Sequence, residues 1–491
     1  MIVKKHQYAI ILLILLVLAS ILRFYDIMDN SVWTDEEWTL LRIEWPVKDM
    51  LFGTRDVHPP LYFILLYGIK SLGFSSIEHI RMVSAFFGVA SVFLIYKVGL
   101  LYNKRVAIIA ATILTFSPLH IHFSRDGRMY IFLLFLILLS FLLLKWVLSK
   151  KYSRKILLNS TFYMVVSLLL VLTAYISVFV LFAQLVYVYI YHRKSFRRVF
   201  TLLLISAIVF TPFITVVLDQ FKNATGASVF STGVHQIAID YFYGLYAFIG
   251  GYSTIILTEK YDSNNIYALL NVYDISLILL GITVYILMLQ SVVKFKTART
   301  YLALTIIPFL MPIIIYPYVS IVGYRYLVII YPFFVLLLSI TISSFKEVST
   351  VRYYILICSV VLSSILGVYN IYSSEEYEHT DWNNISKEVE NIYKEGDTIF
   401  VNNNHEILKR YLTEEYSLTS YHPIRNLNQE TDNKLIDKLT KFSRTIFVDV
   451  RDPVIFDHYK LLLFNRCKNI EKIAHYSNRW DSNIYIVKAC N

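Results

Sequence analysis

Cysteine, glycine and charge are all scarce in this chain. Three cysteines in 491 residues exclude a disulfide-built secreted scaffold. Cys358 lies inside the last long apolar run. Cys467 and Cys490 flank two neighbouring predicted strands near the C-terminus, where a bond between them and two unpaired thiols are both open readings. No Cys or His spacing matches a metal site. Fifteen glycines and eleven prolines are too few for a low-complexity or collagen-like tract, and no internal repeat is visible. Charged residues make up 16%, against about 25% in soluble domains, which excludes an ordinary soluble protein.

What is present is apolar: 57% hydrophobic, 16% aromatic, with a mean hydropathy of +0.56. Runs long enough to span a bilayer recur from residue 7 to residue 372. After Ser373 the composition turns polar and acidic ("SSEEYEHTDWNNISKEVENIYKEGD"). The chain therefore reads as a membrane domain, residues 1–372, and a soluble domain, residues 373–491, of ordinary small-domain size. The net charge of +11 sits mostly in short Lys/Arg clusters between apolar runs. That is a topology signal and gives no reason to expect nucleic acid.

The predicted spans are 7–22, 82–101, 106–123, 130–148, 157–174, 176–191, 199–217, 273–292, 300–316, 325–344 and 353–372. The first follows Lys4 and Lys5 as a signal peptide would, but has no small-residue cleavage site, so it is kept as a span. Pro59–Phe74 is ambiguous, and charge decides it. If that run does not span, the clusters at Asn103–Arg105, Lys150–Lys155, Arg193–Arg198, Lys294–Arg299 and Lys346–Arg352 all share the side of Lys4 and Lys5, as the positive-inside rule requires. Pro59–Phe74 is then an interfacial helix. This gives eleven spans, a cytoplasmic N-terminus and an extracytoplasmic tail. Four segments fall outside: Tyr25–Arg81, Ser124–Tyr130, the loop Leu218–Val272, and Tyr318–Arg325.

The unusual charges converge on those segments. "TDEEWTLLRIEW" starts an amphipathic helix, with Thr34 and Glu37 spaced as a capping box. Asp35, Glu36 and Glu37 suit the first turn of any helix. A carboxylate at the bilayer edge, between Trp33 and Trp38, is also partly desolvated, which suits a base at neutral pH. In "RDVHPPLYF" two prolines suit the start of a new helix, with His58 either capping that helix or held with Arg55 at the interface to bind a phosphate. "HIHFSRDGRMY" places Arg125, Asp126 and Arg128 between two spans, where either arginine snorkels to headgroups or binds an anion. Arg325 opens a span among Tyr316, Tyr318, Tyr324 and Tyr326, as an interfacial anchor or as a phosphate ligand through its fork of donors.

In the order of these pieces (first span, Asp35–Glu36, Asp56–Leu61, interfacial helix, "SRDGR" loop) the chain resembles the C-type (GT-C) glycosyltransferase superfamily. Within it the match is to the protein O-mannosyltransferases (glycosyltransferase family 39) and the lipid A aminoarabinose transferases. The resemblance implies a polytopic α-helical GT-C membrane domain with a small extracytoplasmic α/β domain. It implies an enzyme of the cell envelope that moves a sugar from a polyprenyl-phosphate donor to a protein, lipid or glycan acceptor. Asp35 matches the family's catalytic aspartate and Glu36 the acid beside it. His58 matches a donor-contacting position, and Arg128, Arg325 and Arg55 are the candidate phosphate ligands. Mannosyltransferases carry a further Asp five residues after an Arg in the second loop. That position here is Tyr130, so Asp126 is the candidate second acid, from a different register.

The chemistry needs a base for the acceptor and cations for the departing phosphate, which leaves well without a strong acid. A divalent metal bridging Asp35 and a phosphate is an open alternative that this ligand set does not demand. A transporter or flippase of lipid-linked sugars is the rival from another class. It would place ionisable residues nearer the midplane and in repeated halves. An oligosaccharide polymerase or ligase is a nearer rival. The tail reads as alternating helices (Asp381–Lys394, 432–442, Val454–Phe464) and strands (Asp397–Asn403, Arg444–Val450, Ile470–Tyr476, Ile484–Lys488). It has no Gly-rich loop or nucleophile motif, and acceptor recognition and a passive cap both fit it.

Overall fold

The computed structural model describes residues 2–28, 31–54, 56–149, 154–226, 234–251, 272–315, 324–373, 381–401, 405–413, 416, 418–420, 444–450, 467–476 and 482–490. The chain forms two compact units. The first comprises Met1–Ile27 and Arg42–Tyr372, the second Met28–Leu41 and Ser373–Asn491.

The first unit is helical. Among the described residues, nine helices are long and apolar enough to cross a bilayer. The pair Lys104–Phe116 and Pro118–Ser124, bent by 61°, makes ten if it is one span. The remaining run read from sequence, 176–191, is the shorter apolar helix Tyr175–Tyr191. Helices Tyr130–Val147 and Tyr331–Val348 form the centre, each 78% buried, whereas Arg193–Lys222 is only 11% buried and turns its apolar side chains outward. That is the pattern of a lipid-facing helix. Two details differ from the sequence reading. The run 325–344 begins as a 3-10 turn, Tyr324–Ile329, and the helix starts only at Tyr331, with Pro332 in its first turn. The segment read as a loop, 218–272, contains the helix Val234–Gly250. At 17 residues it is short for a span, yet Tyr243, Ala247 and Phe248 are buried.

Leu61–Ser71 confirms a helix in the ambiguous second run. Its 11 residues rise about 16 Å, too little to cross about 30 Å of hydrocarbon. It begins directly after Pro59–Pro60, as fixed φ and the missing N–H favour.

The bend before Pro118 has a local cause. Pro118 has no N–H for the carbonyl of Leu114, and Ser117 restarts the helix by accepting the His120 N–H at 3.1 Å. The carbonyls left over are taken by Arg23, which is fully buried and donates to Leu114 O at 2.9 Å and Thr115 O at 3.3 Å. Its Nη2 also lies 2.7 Å from His120 Nδ1. Two glycines let neighbours close on this bend. Gly251 has φ +82° and a Cβ there would lie 2.5 Å from Pro118 Cβ. At Gly88 a Cβ would lie 2.8 Å from Ser124 Cβ and 3.0 Å from Arg23 Cδ. Gly88→Ala is therefore expected to destabilise the protein by about 1–3 kcal/mol, as overpacked cores do, seen as a lower apparent unfolding temperature in detergent.

The second unit carries a five-stranded sheet in the order β2-β1-β3-β5-β4. The strands are β1 Thr398–Val401, β2 Leu418–Ser420, β3 Arg444–Val450, β4 Cys467–Tyr476 and β5 Ser482–Cys490. β1 pairs in parallel with β2 and β3, and β5 is antiparallel to β3 and β4. β1 is buried throughout and β3 nearly so, the run expected of parallel strands covered on both faces. In the antiparallel β4–β5 pair, the backbone register sets Cys467 opposite Cys490. Helix Trp382–Ile392 is capped by Asp381, which accepts the Asn384 N–H at 3.1 Å, and buries Trp382, Ile385 and Val389 along one face. A short helix, His405–Tyr411, was not visible in the sequence pattern. The helices read at 432–442 and Val454–Phe464 lie outside the described residues.

Candidate active site

Loops of the first unit meet at one carboxylate, Asp56. Helix Thr34–Arg42 ends with Arg42, whose guanidinium forms an ion pair with Asp56 Oδ2 and donates to His58 O at 3.0 Å. The other oxygen of Asp56 accepts the His58 backbone N–H at 3.1 Å and lies 2.7 Å from His58 Nδ1. A carboxylate here only accepts, so Nδ1 carries the proton and Nε2 is left as an acceptor. Nε2 lies 3.4 Å from Arg128 Nη2, a contact between residues 70 apart in sequence. Phe63, three residues beyond Pro60, packs beneath both arginines, with Arg42 Cζ 4.0 Å and Arg128 Cζ 5.9 Å from its ring centroid. The Pro59–Pro60 turn thus places His58 and Phe63 together.

Electrostatics follow the geometry. Burial pushes the Asp56 carboxyl upward, but His58, Arg42 and Arg128 outweigh it and hold the group well below the usual carboxylate range. Arg42 is itself lowered by burial, with Asp56 opposing that shift. A carboxyl depressed on folding contributes stability above its unfolded pKa of about 4 and loses it as pH falls toward the folded value. Asp56→Asn leaves Arg42, 2% exposed, without its carboxylate. The expected cost is about 3–5 kcal/mol, with a flatter loss of apparent unfolding temperature below about pH 4 than in the wild type.

The two arginines of the "SRDGR" loop have different jobs. Both are buried, at 7% and 2% exposure, so neither snorkels to headgroups. Arg125 donates to Tyr25 O at 2.9 Å and Asp26 O at 2.6 Å and stacks on Tyr372 at 4.8 Å. It anchors the loop to the end of the first span, while Arg128 reaches His58. Asp126 is buried beside them.

The remaining candidates stand as follows. Asp35 is half-buried and Glu36 buried at 1%, both in the first turn of helix Thr34–Arg42 and in the part of it that belongs with the second unit. Thr34 lies inside that helix rather than at its cap, and Glu37 spends both carboxylate oxygens on Arg410, not on a capping box. His58 does not cap the helix after it; Pro60 holds that position. Arg325 is half-buried in the 3-10 turn Tyr324–Ile329. Arg55 lies outside the described residues. Asp56 and Arg42 were not singled out from sequence, although an Asp two residues before a His is a recognisable local pair. Among the described residues, no group of three His, Cys, Asp or Glu could hold a metal ion.

Comparison with known proteins places this geometry in context. The family model described as dolichyl-phosphate-mannose-protein mannosyltransferase matches residues 57–218, a stretch that includes His58, Asp126 and Arg128. No curated protein matches the chain in sequence. Two crystal structures of ArnT from Cupriavidus metallidurans superpose over almost the whole length. The one bound to undecaprenyl phosphate gives a TM-score of 0.55 at 11% identity, covering 99% of this chain and 97% of that one. The apo structure gives the same score and identity, covering 99% and 98%. The Archaeoglobus fulgidus oligosaccharyltransferase, in complex with zinc and sulfate, gives 0.51 at 13% identity, covering 89% and 67%. The fold is that of the GT-C membrane glycosyltransferases, and the chain is a multi-pass membrane protein.

Proposed function

We propose that this GT-C-fold protein moves a sugar from a polyprenyl-phosphate donor to an acceptor hydroxyl or phosphate at the outer face of the plasma membrane. The N-terminus is then cytoplasmic and the domain from Ser373 onward extracytoplasmic, with the membrane domain ending at 372. The single observation that carries the reading is the convergence of His58 and Arg128, from loops 70 residues apart, over one half-buried carboxylate. Undecaprenyl phosphate bound to ArnT, a protein of the same fold, supports a polyprenyl-phosphate carrier here.

In this reading the acceptor gives its proton to Asp35 as its oxygen attacks the anomeric carbon. The bond from that carbon to the phosphate oxygen breaks, and polyprenyl phosphate leaves with the electron pair. Arg128 takes up the developing charge, with His58 as a further candidate ligand, Asp56 fixing the imidazole and Arg42 fixing Asp56. Arg325 and Arg55 are further candidate phosphate ligands, Glu36 lies beside the base, and Asp126 is the candidate second acid. A divalent metal is not required by these steps.

Proteoliposomes loaded with a panel of radiolabelled polyprenyl-phosphate sugars test the reading. The expected result is that one donor is consumed, with label recovered on a new acceptor. Label that merely changes leaflet, still on its carrier, would instead establish the flippase.

A further inference from the structure

The domain after Ser373 makes contacts that bracket Asp35. Within the second unit, Met28–Leu41 groups with Ser373–Asn491. Val32, three residues before Asp35, donates its backbone N–H to Tyr411 Oη at 2.9 Å. Glu37, two residues after it, receives Arg410 through both oxygens, from Nε at 2.6 Å and Nη2 at 2.9 Å. Glu37 is 5% exposed, so its charge has little water to fall back on and the forked pair carries it.

Both partners come from one helix, His405–Tyr411, and that helix is itself fixed. Its Ile407 and Leu408 are fully buried, and it packs against Trp382–Ile392. The segment it grips has little stability of its own. Helix Thr34–Arg42 has nine residues, below the roughly 12–15 at which an isolated helix begins to hold together in water. A short helix of this kind keeps its geometry only through tertiary contacts. Those at Val32 and Glu37 lie on either side of the proposed base.

We infer that Arg410 and Tyr411 are positioning residues, and that the C-terminal domain holds the Asp35–Glu36 turn for catalysis rather than capping the protein passively. This rests on the reading of Asp35 as base given above. A base must be held within about half an ångström of its productive place to work at full rate, and the forked Arg410–Glu37 pair fixes both direction and distance, as a Lys at that position does not.

The test uses the full-length protein, with Arg410→Ala, Arg410→Lys and Tyr411→Phe beside the wild type. Hydrogen exchange at the amides of residues 34–41 reports the grip independently of chemistry. Donor kcat and KM report its use. In Arg410→Ala, exchange there is expected to quicken by about tenfold to a hundredfold, the loss of a charge-assisted pair. We expect kcat to fall by about tenfold or more, with donor KM within about twofold. Arg410→Lys is expected to recover part of both, and Tyr411→Phe, which keeps the ring, to show the smaller loss of one neutral hydrogen bond. Unchanged exchange in Arg410→Ala overturns the inference whatever the activity. Quickened exchange with unchanged kcat overturns the positioning role. A fully active Asp35→Asn removes the reading beneath and the catalytic part of the inference with it, and is told apart because the exchange response to Arg410→Ala would persist.

Discussion

Asp35→Asn is expected to lower turnover by about two to four orders of magnitude, the range over which a positioned general base acts, while donor binding stays near the wild-type value. The amide keeps the size and helix propensity of the side chain and removes only its ability to accept a proton. Asp35 stands in the first turn of a helix, where backbone N–H groups have no partners within the helix. Asn can still accept there, so the fold is expected to hold. The measurement is single-turnover sugar release at saturating donor, beside donor affinity by titration. A loss confined to affinity would place Asp35 among the binding groups, and an unchanged rate would make the acidic turn a helix start and nothing more.

Arg128→Gln carries the second largest effect. Removing one preorganised donor from a developing oxyanion costs about 10²–10³ in kcat, and Arg128 is buried where such a donor is worth more than in water. It touches His58 Nε2 at 3.4 Å and shares Phe63 with Arg42, so its loss also leaves the imidazole less well placed. Arg125, three residues before it, is the useful contrast. It is equally basic and nearly as buried, but its donors are committed to the Tyr25 and Asp26 carbonyls. Arg125→Gln is expected to lower thermal stability with little effect on kcat, whereas Arg128→Gln is expected to lower kcat.

Much of this was legible in the sequence, and the rest was hidden for physical reasons. Apolar run length found the long helices because bilayer thickness sets that length. The shift at Ser373 and the alternating pattern after it found β3 at Arg444–Val450, the bounds of the strand itself. The proline pair found the helix at Leu61–Ser71. Runs broken by a 3-10 turn were another matter. Hydropathy does not register a change of backbone, so 325–344 read as one helix where Tyr324–Ile329 is a separate turn. In the candidate site, residue type pointed to His58 and Arg128, yet the anchoring contacts of Arg125 to the Tyr25 and Asp26 carbonyls, 100 and 99 residues away, left no local sign. Asp56 read as part of a motif and not as its hub, because its partner Arg42 lies on the far side of an intervening helix, Val47–Phe52. Arg410 lies 373 residues from Glu37, and no local pattern reports a contact of that span.

Detergent solution offers the most direct measurement, because it abolishes the two sides that a flippase needs while leaving a transferase its chemistry. Purified protein is incubated with a radiolabelled polyprenyl-phosphate sugar from the panel, and free polyprenyl phosphate is counted against time for the wild type and Asp35→Asn. The account predicts time-dependent release of polyprenyl phosphate by the wild type and about a hundredfold less or lower still by the variant. No release from any donor in the panel, or equal release by both proteins, would contradict it.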